Sequence, residues 1–250
     1  MVIQDGKQEA KPPLTALEWA ADAGGTGISK STIPNYNGTD WTRTIINPGG
    51  RFFIIYDDLL VNKEGKYIFE NTWQTLGDAK IQDDGFQVSQ QGVTMRLLSL
   101  DETDLLEYER YGHFIKYWKA SYPYPYADEE HVLREVKNER EYEEGDSSRF
   151  INVLSSAKED ELSVNAKRLD DQTVFIEDDG QQWYAFWGNI STENFESDGK
   201  FHLVSNEEIL AVEVTQARVG NKEFKFHEAV IMKVDVTKGT WEAFGLVGGL

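Results

Sequence analysis

The chain has 250 residues, with 44 Asp and Glu against 25 Lys and Arg, for a formal net charge of −19. A surface that acidic repels phosphate backbones and excludes a nucleic-acid-binding role. The absence of cysteine removes disulfides, thiolate metal sites and cysteine nucleophiles.

The polarity does not imply disorder, because 13 Phe, 7 Trp and 11 Tyr can fill a wide core. No stretch reaches the roughly 18 consecutive apolar residues of a spanning helix, so membrane insertion is not expected. The N-terminal MVIQDGKQEAKPP lacks the basic and apolar regions of a signal peptide. The compartment therefore stays open between the cytosol and export directed by sequence outside this chain.

In chain order, residues 1–40 read as an irregular segment: a strand-like VIQ, the breaker Pro12-Pro13, then Leu14–Ala23, whose mixed period suits a short helix or a strand. Gly24-Gly25-Thr26-Gly27 reads as a surface turn, since no lysine follows as in a phosphate loop. Trp41–Gly77 predicts three strands. Arg51–Asp57 is apolar enough to be buried on both faces, Asn47-Pro48-Gly49-Gly50 and Asn62-Lys63-Glu64-Gly65 are turns, and Tyr67, Phe69 and Trp73 share one face.

Gln82–Gly85 is a turn, and Phe86–Gln90 with Val93–Leu100 form a hairpin around Gln91-Gly92. The region 101–147 is the least regular. His113–Lys119 reads as a strand, SYPYPY as extended, and His131–Lys137 as a helix or, preferably, an edge strand. Strands then follow at Phe150–Leu154, Leu162–Ala166, Thr173–Glu177, Trp183–Trp187, Phe201–Val204, Ile209–Val219, Glu223–His227, Ala229–Val236 and Trp241–Phe244. Asp178-Asp179-Gly180 is a hairpin signal. About fourteen short strands with frequent turns predict an all-β fold with little helix, a large two-layer antiparallel β-sandwich of the super-sandwich type. With no linker visible, residues 1–250 read as one domain, with 1–40 packed on it.

Chemistry is harder to place. His113, His131, His202 and His227 are far apart, with no second histidine at metal-ligand spacing. The doubled aspartates do not form a D-x-D-x-D-G loop, so calcium has no motif to support it and no cofactor is expected. No G-x-S-x-G elbow is present, and 44 carboxylates nominate no catalytic pair. The feature with functional colour is an aromatic cluster. Within it Tyr117, Trp118, Tyr122, Tyr124 and Tyr126 are candidate carbohydrate contacts through stacking on sugar C–H faces, with ordinary packing as the alternative.

Taken together, the segments resemble the C-terminal β-sandwich of heparinase II/III-like polysaccharide lyases. Tyr36–Arg43 resembles the Y-x-G-x-x-W/H-x-R segment of that family, and Phe53–Asp58 its aromatic–aliphatic–Asp strand. Tyr67–Trp73 with Thr75-Leu76-Gly77, Ser148–Leu154 and Asp198-Gly199 resemble later strands and a turn. The resemblance implies a bacterial, periplasmic or extracellular protein acting on acidic polysaccharide, with an upstream α-helical toroid domain or subunit carrying the acid/base residues. The family's H-x-H-x-D zinc motif has no counterpart here, and no catalytic residue carries over. Trp41, Arg43 and Asp57 match positions taken as structural.

The function expected is therefore a non-catalytic domain that supports or contacts polysaccharide. The alternatives are a stand-alone acidic adhesion or scaffold module, or a mutarotase-like enzyme in which His113, His202 or His227 meets a glutamate in a concave sheet.

Overall fold

The computed structural model describes residues 1–8, 14–109, 131–158 and 161–248. Among them there is no α-helix, and twenty-three strands are present, all strand pairs with an assigned register being antiparallel. The all-β sandwich expected from the alternation is borne out. The strand number exceeds the expected fourteen because several strands have only two or three residues, too short to leave a periodic signal. The segment 1–40 also holds strands where the sequence suggested irregular chain.

The strands fall into two compact units built from interleaved segments. The first comprises Met1–Ala16, Ser31–Thr44 and Phe52–Leu162, the second Leu17–Lys30, Ile45–Arg51 and Ser163–Leu250.

The first thirteen strands, in order, are β1 (Val2–Gln4), β2 (Lys7–Gln8), β3 (Ala16–Asp22), β4 (Thr26–Tyr36), β5 (Thr39–Pro48), β6 (Phe53–Val61), β7 (Gly65–Thr75), β8 (Asp78–Gln82), β9 (Gly85–Gln90), β10 (Val93–Ser99), β11 (Asp104–Glu109), β12 (His131–Tyr142) and β13 (Ser147–Lys158). In the first unit one sheet runs β11-β12-β7-β1-β2, and the facing one runs β4-β5-β6-β13-β10-β9-β8. The core between them gathers Val2, Tyr36, Trp41, Leu59, Val61, Tyr67, Phe69, Tyr142 and Phe150. A neighbouring cluster holds Phe86, Val88, Leu97 and Leu133, with Trp73 packed against it. Most of these inward residues follow from period-two alternation; Tyr142 joins the inward face of β12 through the register shift between Lys137 and Arg140.

The remaining strands are β14 (Asn165–Arg168), β15 (Thr173–Asp178), β16 (Gln181–Trp187), β17 (Ile190–Ser191), β18 (Phe195–Ser197), β19 (Phe201–Ser205), β20 (Glu208–Val219), β21 (Lys222–Asp235), β22 (Thr240–Gly245) and β23 (Val247–Gly248). The second unit's main sheet runs β14-β15-β16-β19-β20-β18-β17, with β21 paired to both β20 and β22. Phe195, Ala211, Val214, Ala217, Met232 and Val234 are buried together there. Lys30 of β4 bonds Glu213 of β20 at 3.1 Å, and Lys233 of β21 bonds the Gly24 carbonyl at 3.1 Å.

Both expected hairpins form: Gln91 and Gly92 have φ of 52° and 76°, and Asp179 and Gly180 have 49° and 77°, the left-handed pair of a type I′ turn. Of the two readings of Leu14–Ala23, the strand is the one that forms, β3 within it. Other expectations change. β12 lies between β11 and β7 and so is an interior strand rather than an edge. The two strands expected within 223–236 are one strand, β21, with a bulge where they were expected to part: Lys225 pairs with Gln216 and Val230 with Val214, and the register shifts between the two pairs. The strand expected at Leu162–Ala166 begins at Asn165. β6 begins at Phe53, which is 39% exposed while Ile54 is 0% exposed, so its start is not buried on both faces. The strand expected at His113–Lys119 lies outside the described residues.

Candidate functional site

The most elaborate polar arrangement in the first unit lies between its two sheets. Trp41 and Arg43 sit two apart on β5, on one face, beside Asp57 on the adjacent β6. Asp57 is 0% exposed. Its carboxylate accepts hydrogen bonds from Trp41 Nε1 at 2.8 Å, Arg43 Nε at 2.7 Å, Arg43 Nη2 at 2.8 Å and Asn71 Nδ2 at 3.4 Å. The Arg43 contact is a two-pronged guanidinium–carboxylate pair. Burial works against the charge on Arg43, but the hydrogen bonds and charge of Asp57, with Glu135 beyond, outweigh it and hold the guanidinium pKa above its ordinary value.

The facing sheet supplies the other half. Asn71 on β7 is the register partner of Glu135 on β12. Glu135, also 0% exposed, accepts from Asn152 Nδ2 at 2.6 Å, Trp73 Nε1 at 2.9 Å and Asn71 Nδ2 at 3.2 Å. Burial pushes the Glu135 carboxyl above the usual range; its donors, the Ser99 hydroxyl among them, oppose this, and the nearby Asp57 charge adds to it. Arg43 Nη2 also donates to Asn71 Oδ1 at 2.9 Å, and its guanidinium lies 5.5 Å from the Trp73 ring centroid. Each buried carboxylate thus meets several donors, as a buried charge requires. Such carboxylates are spent as fixed acceptors and are poorly placed to abstract a proton.

Over this cluster opens a pocket of about 340 Å³, lined by Tyr36, Trp41, Arg43, Glu70, Asn71 and Thr72 among others. Glu70, 7% exposed, receives Arg134 Nη1 on Oε2 at 3.1 Å. The second unit carries a wider groove of about 470 Å³ lined by Glu196, Asp198, Arg218, Glu223, Phe224 and Lys225 among others. There Arg218 Nη2 meets Glu196 at 2.5 Å and lowers its carboxyl pKa. Burial of Asp198 would raise its pKa, but the Thr215 hydroxyl and the Thr215 and Gln216 amides outweigh this and lower it.

Trp41, Arg43 and Asp57, singled out from sequence as structural positions, come together in one bonded cluster. Asn71, Glu135 and Asn152 were not anticipated. The one signal was parity, since Asn71 lies on the face of Tyr67, Phe69 and Trp73. The carbohydrate candidates Tyr117, Trp118, Tyr122, Tyr124 and Tyr126, and His113, lie outside the described residues. His202 is 0% exposed, and neither ring nitrogen makes a hydrogen bond of good geometry. Burial depresses its pKa to about 4, against the Gly188 backbone and Asp198. His131 pairs with Glu107 at 2.6 Å, and His227 is exposed. Among the described residues no group of three or more His, Asp or Glu side chains is placed to hold a metal ion.

The structure defines a large antiparallel β-sandwich protein, with the fold of the β portion of polysaccharide lyases. It is similar to heparan sulfate lyase HepC from Pedobacter heparinus, with a TM-score of 0.53 and 11% identity over 82% of this chain and 29% of that one. A mutant of HepC aligns at TM-score 0.52 and 12% identity, over 73% of this chain and 29% of that one. A heparinase III gene product aligns over 94% of this chain and 30% of its own length, with 14% identity and a TM-score of 0.48. No protein-family model and no curated protein sequence matches the chain. The chain spans about 29% of the length of HepC, and at such identity the likeness establishes the fold. The resemblance expected from sequence is borne out at that level.

Proposed function

We propose that this chain is a non-catalytic β-sandwich domain of a polysaccharide-lyase-like protein, supporting or contacting glycan while an α-helical domain or subunit elsewhere performs the chemistry. The observation that carries the reading is the pairing of a lyase-type sandwich fold with a central polar cluster whose carboxylates, Asp57 and Glu135, are each already engaged by several hydrogen bonds. That arrangement holds two sheets together and has no free base to offer. Glycan contact is assigned to the aromatic cluster Tyr117, Trp118, Tyr122, Tyr124 and Tyr126, whose side chains suit stacking on sugar rings.

Two measurements test this. Incubated with heparan sulfate or chondroitin sulfate, the chain should generate no unsaturated uronate absorbing in the ultraviolet; sustained product formation would make it an enzyme. Trp118→Ala and Tyr124→Ala should fold normally yet weaken retention on immobilised polysaccharide, and unchanged retention in both would remove the cluster from the reading.

A further inference from the structure

We propose that the pocket over Arg43 is a subsite for one neutral sugar ring. The inference deepens the glycan-contacting reading, on which it rests, by naming the chemical class of the ligand. The volume of about 340 Å³ lies at the lower end of the range for small-ligand pockets, a scale suited to a single pyranose. Tyr36 and Trp41 line it and are 6% and 8% exposed, with ring centroids 6.5 Å apart. They give the pocket a rigid apolar wall of the kind that packs on C–H faces.

The polar capacity left on the lining suits hydroxyl groups. Arg43 spends Nε and Nη2 on Asp57 and Asn71, and Nη1 makes no hydrogen bond among the described residues. Glu70 receives Arg134 on Oε2, which leaves Oε1 as an acceptor. Thr15, Ser31 and Thr72 also line the pocket, adding hydroxyls that donate or accept. The lining therefore both donates and accepts, as the hydroxyls of a sugar require.

Charge selects neutral over anionic rings. The Arg43 charge is matched by Asp57 in a two-pronged pair, and the Arg134 charge by Glu70. No cation among the pocket-lining side chains is left unmatched; the Met1 amino group, which also lines the pocket, donates to the Glu70 carbonyl, and burial lowers its pKa to about 6, while the chain as a whole carries −19. A uronate or sulfate entering the pocket would lose hydration and meet the Glu70 carboxylate, without a free positive charge to compensate.

The test is calorimetry and saturation-transfer NMR on the full chain with D-glucose, D-galactose, D-mannose and D-glucuronate. At least one neutral hexose should show saturable binding, and glucuronate should bind at least about tenfold more weakly. Thr72→Trp, a substitution at an exposed rim position, should close the mouth and abolish hexose binding without unfolding the chain. Glu70→Gln, which keeps the side chain's shape, should weaken it by about tenfold. Absence of saturable hexose binding, equal binding of glucuronate, or indifference to Thr72→Trp would each overturn the proposal. The broader reading fails separately. A chain that binds hexose but is not retained on polysaccharide keeps the subsite and loses the glycan-contacting role. Retention that depends on Trp118 without hexose binding does the reverse.

Discussion

Replacing Arg43 with methionine isolates the role of the buried cluster. The substitution keeps an unbranched side chain of similar length and deletes the guanidinium. Asp57, 0% exposed, then loses two of its four hydrogen bonds and its counter-charge, keeping Trp41 at 2.8 Å and Asn71 at 3.4 Å. Removing one partner of a buried ion pair costs about 3–5 kcal/mol, mainly because the other charge is left uncompensated. The Arg43 side chain is 33% exposed, so solvent already screens part of the attraction and the lower end applies, about 3 kcal/mol. Loss of the contact with the Trp73 ring adds about 0.5–1 kcal/mol.

Urea unfolding at pH 7 reads this as a lowered midpoint at unchanged slope. The signature separating charge from packing is the double mutant. Arg43→Met combined with Asp57→Leu should recover much of the loss. A single-mutant penalty below about 1 kcal/mol, the size of an ordinary surface change, would refute the cluster's role in holding the sheets together.

Further outcomes are expected elsewhere in the chain. Trp73→Phe keeps an aromatic ring, though a smaller one, but removes the 2.9 Å donor to Glu135, and should destabilise by about 1–3 kcal/mol in the same assay. The His202 pKa is lowered from 6.5 to about 4, so between those values the unfolded chain holds a proton that the folded chain does not. This contribution leaves stability intact above pH 6.5 and lowers it as pH falls towards 4, by up to roughly 3 kcal/mol. His202→Leu should flatten that decline, and an unchanged pH profile would show that the group does not titrate on unfolding. Gly85 has φ of +150°, and a Cβ there would stand 1.9 Å from the Leu97 carbonyl oxygen. Gly85→Ala should therefore cost at least about 3 kcal/mol and loosen the β9–β10 hairpin, seen as faster amide exchange along Val93–Ser99.

The elements legible in the sequence were those with local chemistry. Asp179-Gly180 and Gln91-Gly92 announce their hairpins because few residues tolerate positive φ. Tyr67, Phe69 and Trp73 announce their face because alternation survives along a strand. The polar heart of the first unit was not legible. At Asn71, parity points inward while the amide points to solvent by residue type, and only the partner residues resolve the conflict. Those partners, Glu135 and Asn152, lie 64 and 81 positions along the chain. Glu135 sits in a charged run that reads as a solvated edge, yet β12 is interior because β11 covers its other side. The two units were hidden for a related reason: their segments interleave, so no single composition shift divides the chain.

On the proposed function, this sandwich engages glycan without cleaving it. Native electrophoresis through gels cast with heparan sulfate, chondroitin sulfate or a neutral polysaccharide tests this most directly, with each gel extracted afterwards and assayed for unsaturated products. Retardation in at least one gel and intact polysaccharide in all are the expected result. Unretarded migration in every gel would contradict the binding role, and unsaturated fragments behind a retarded band would contradict the absence of catalysis.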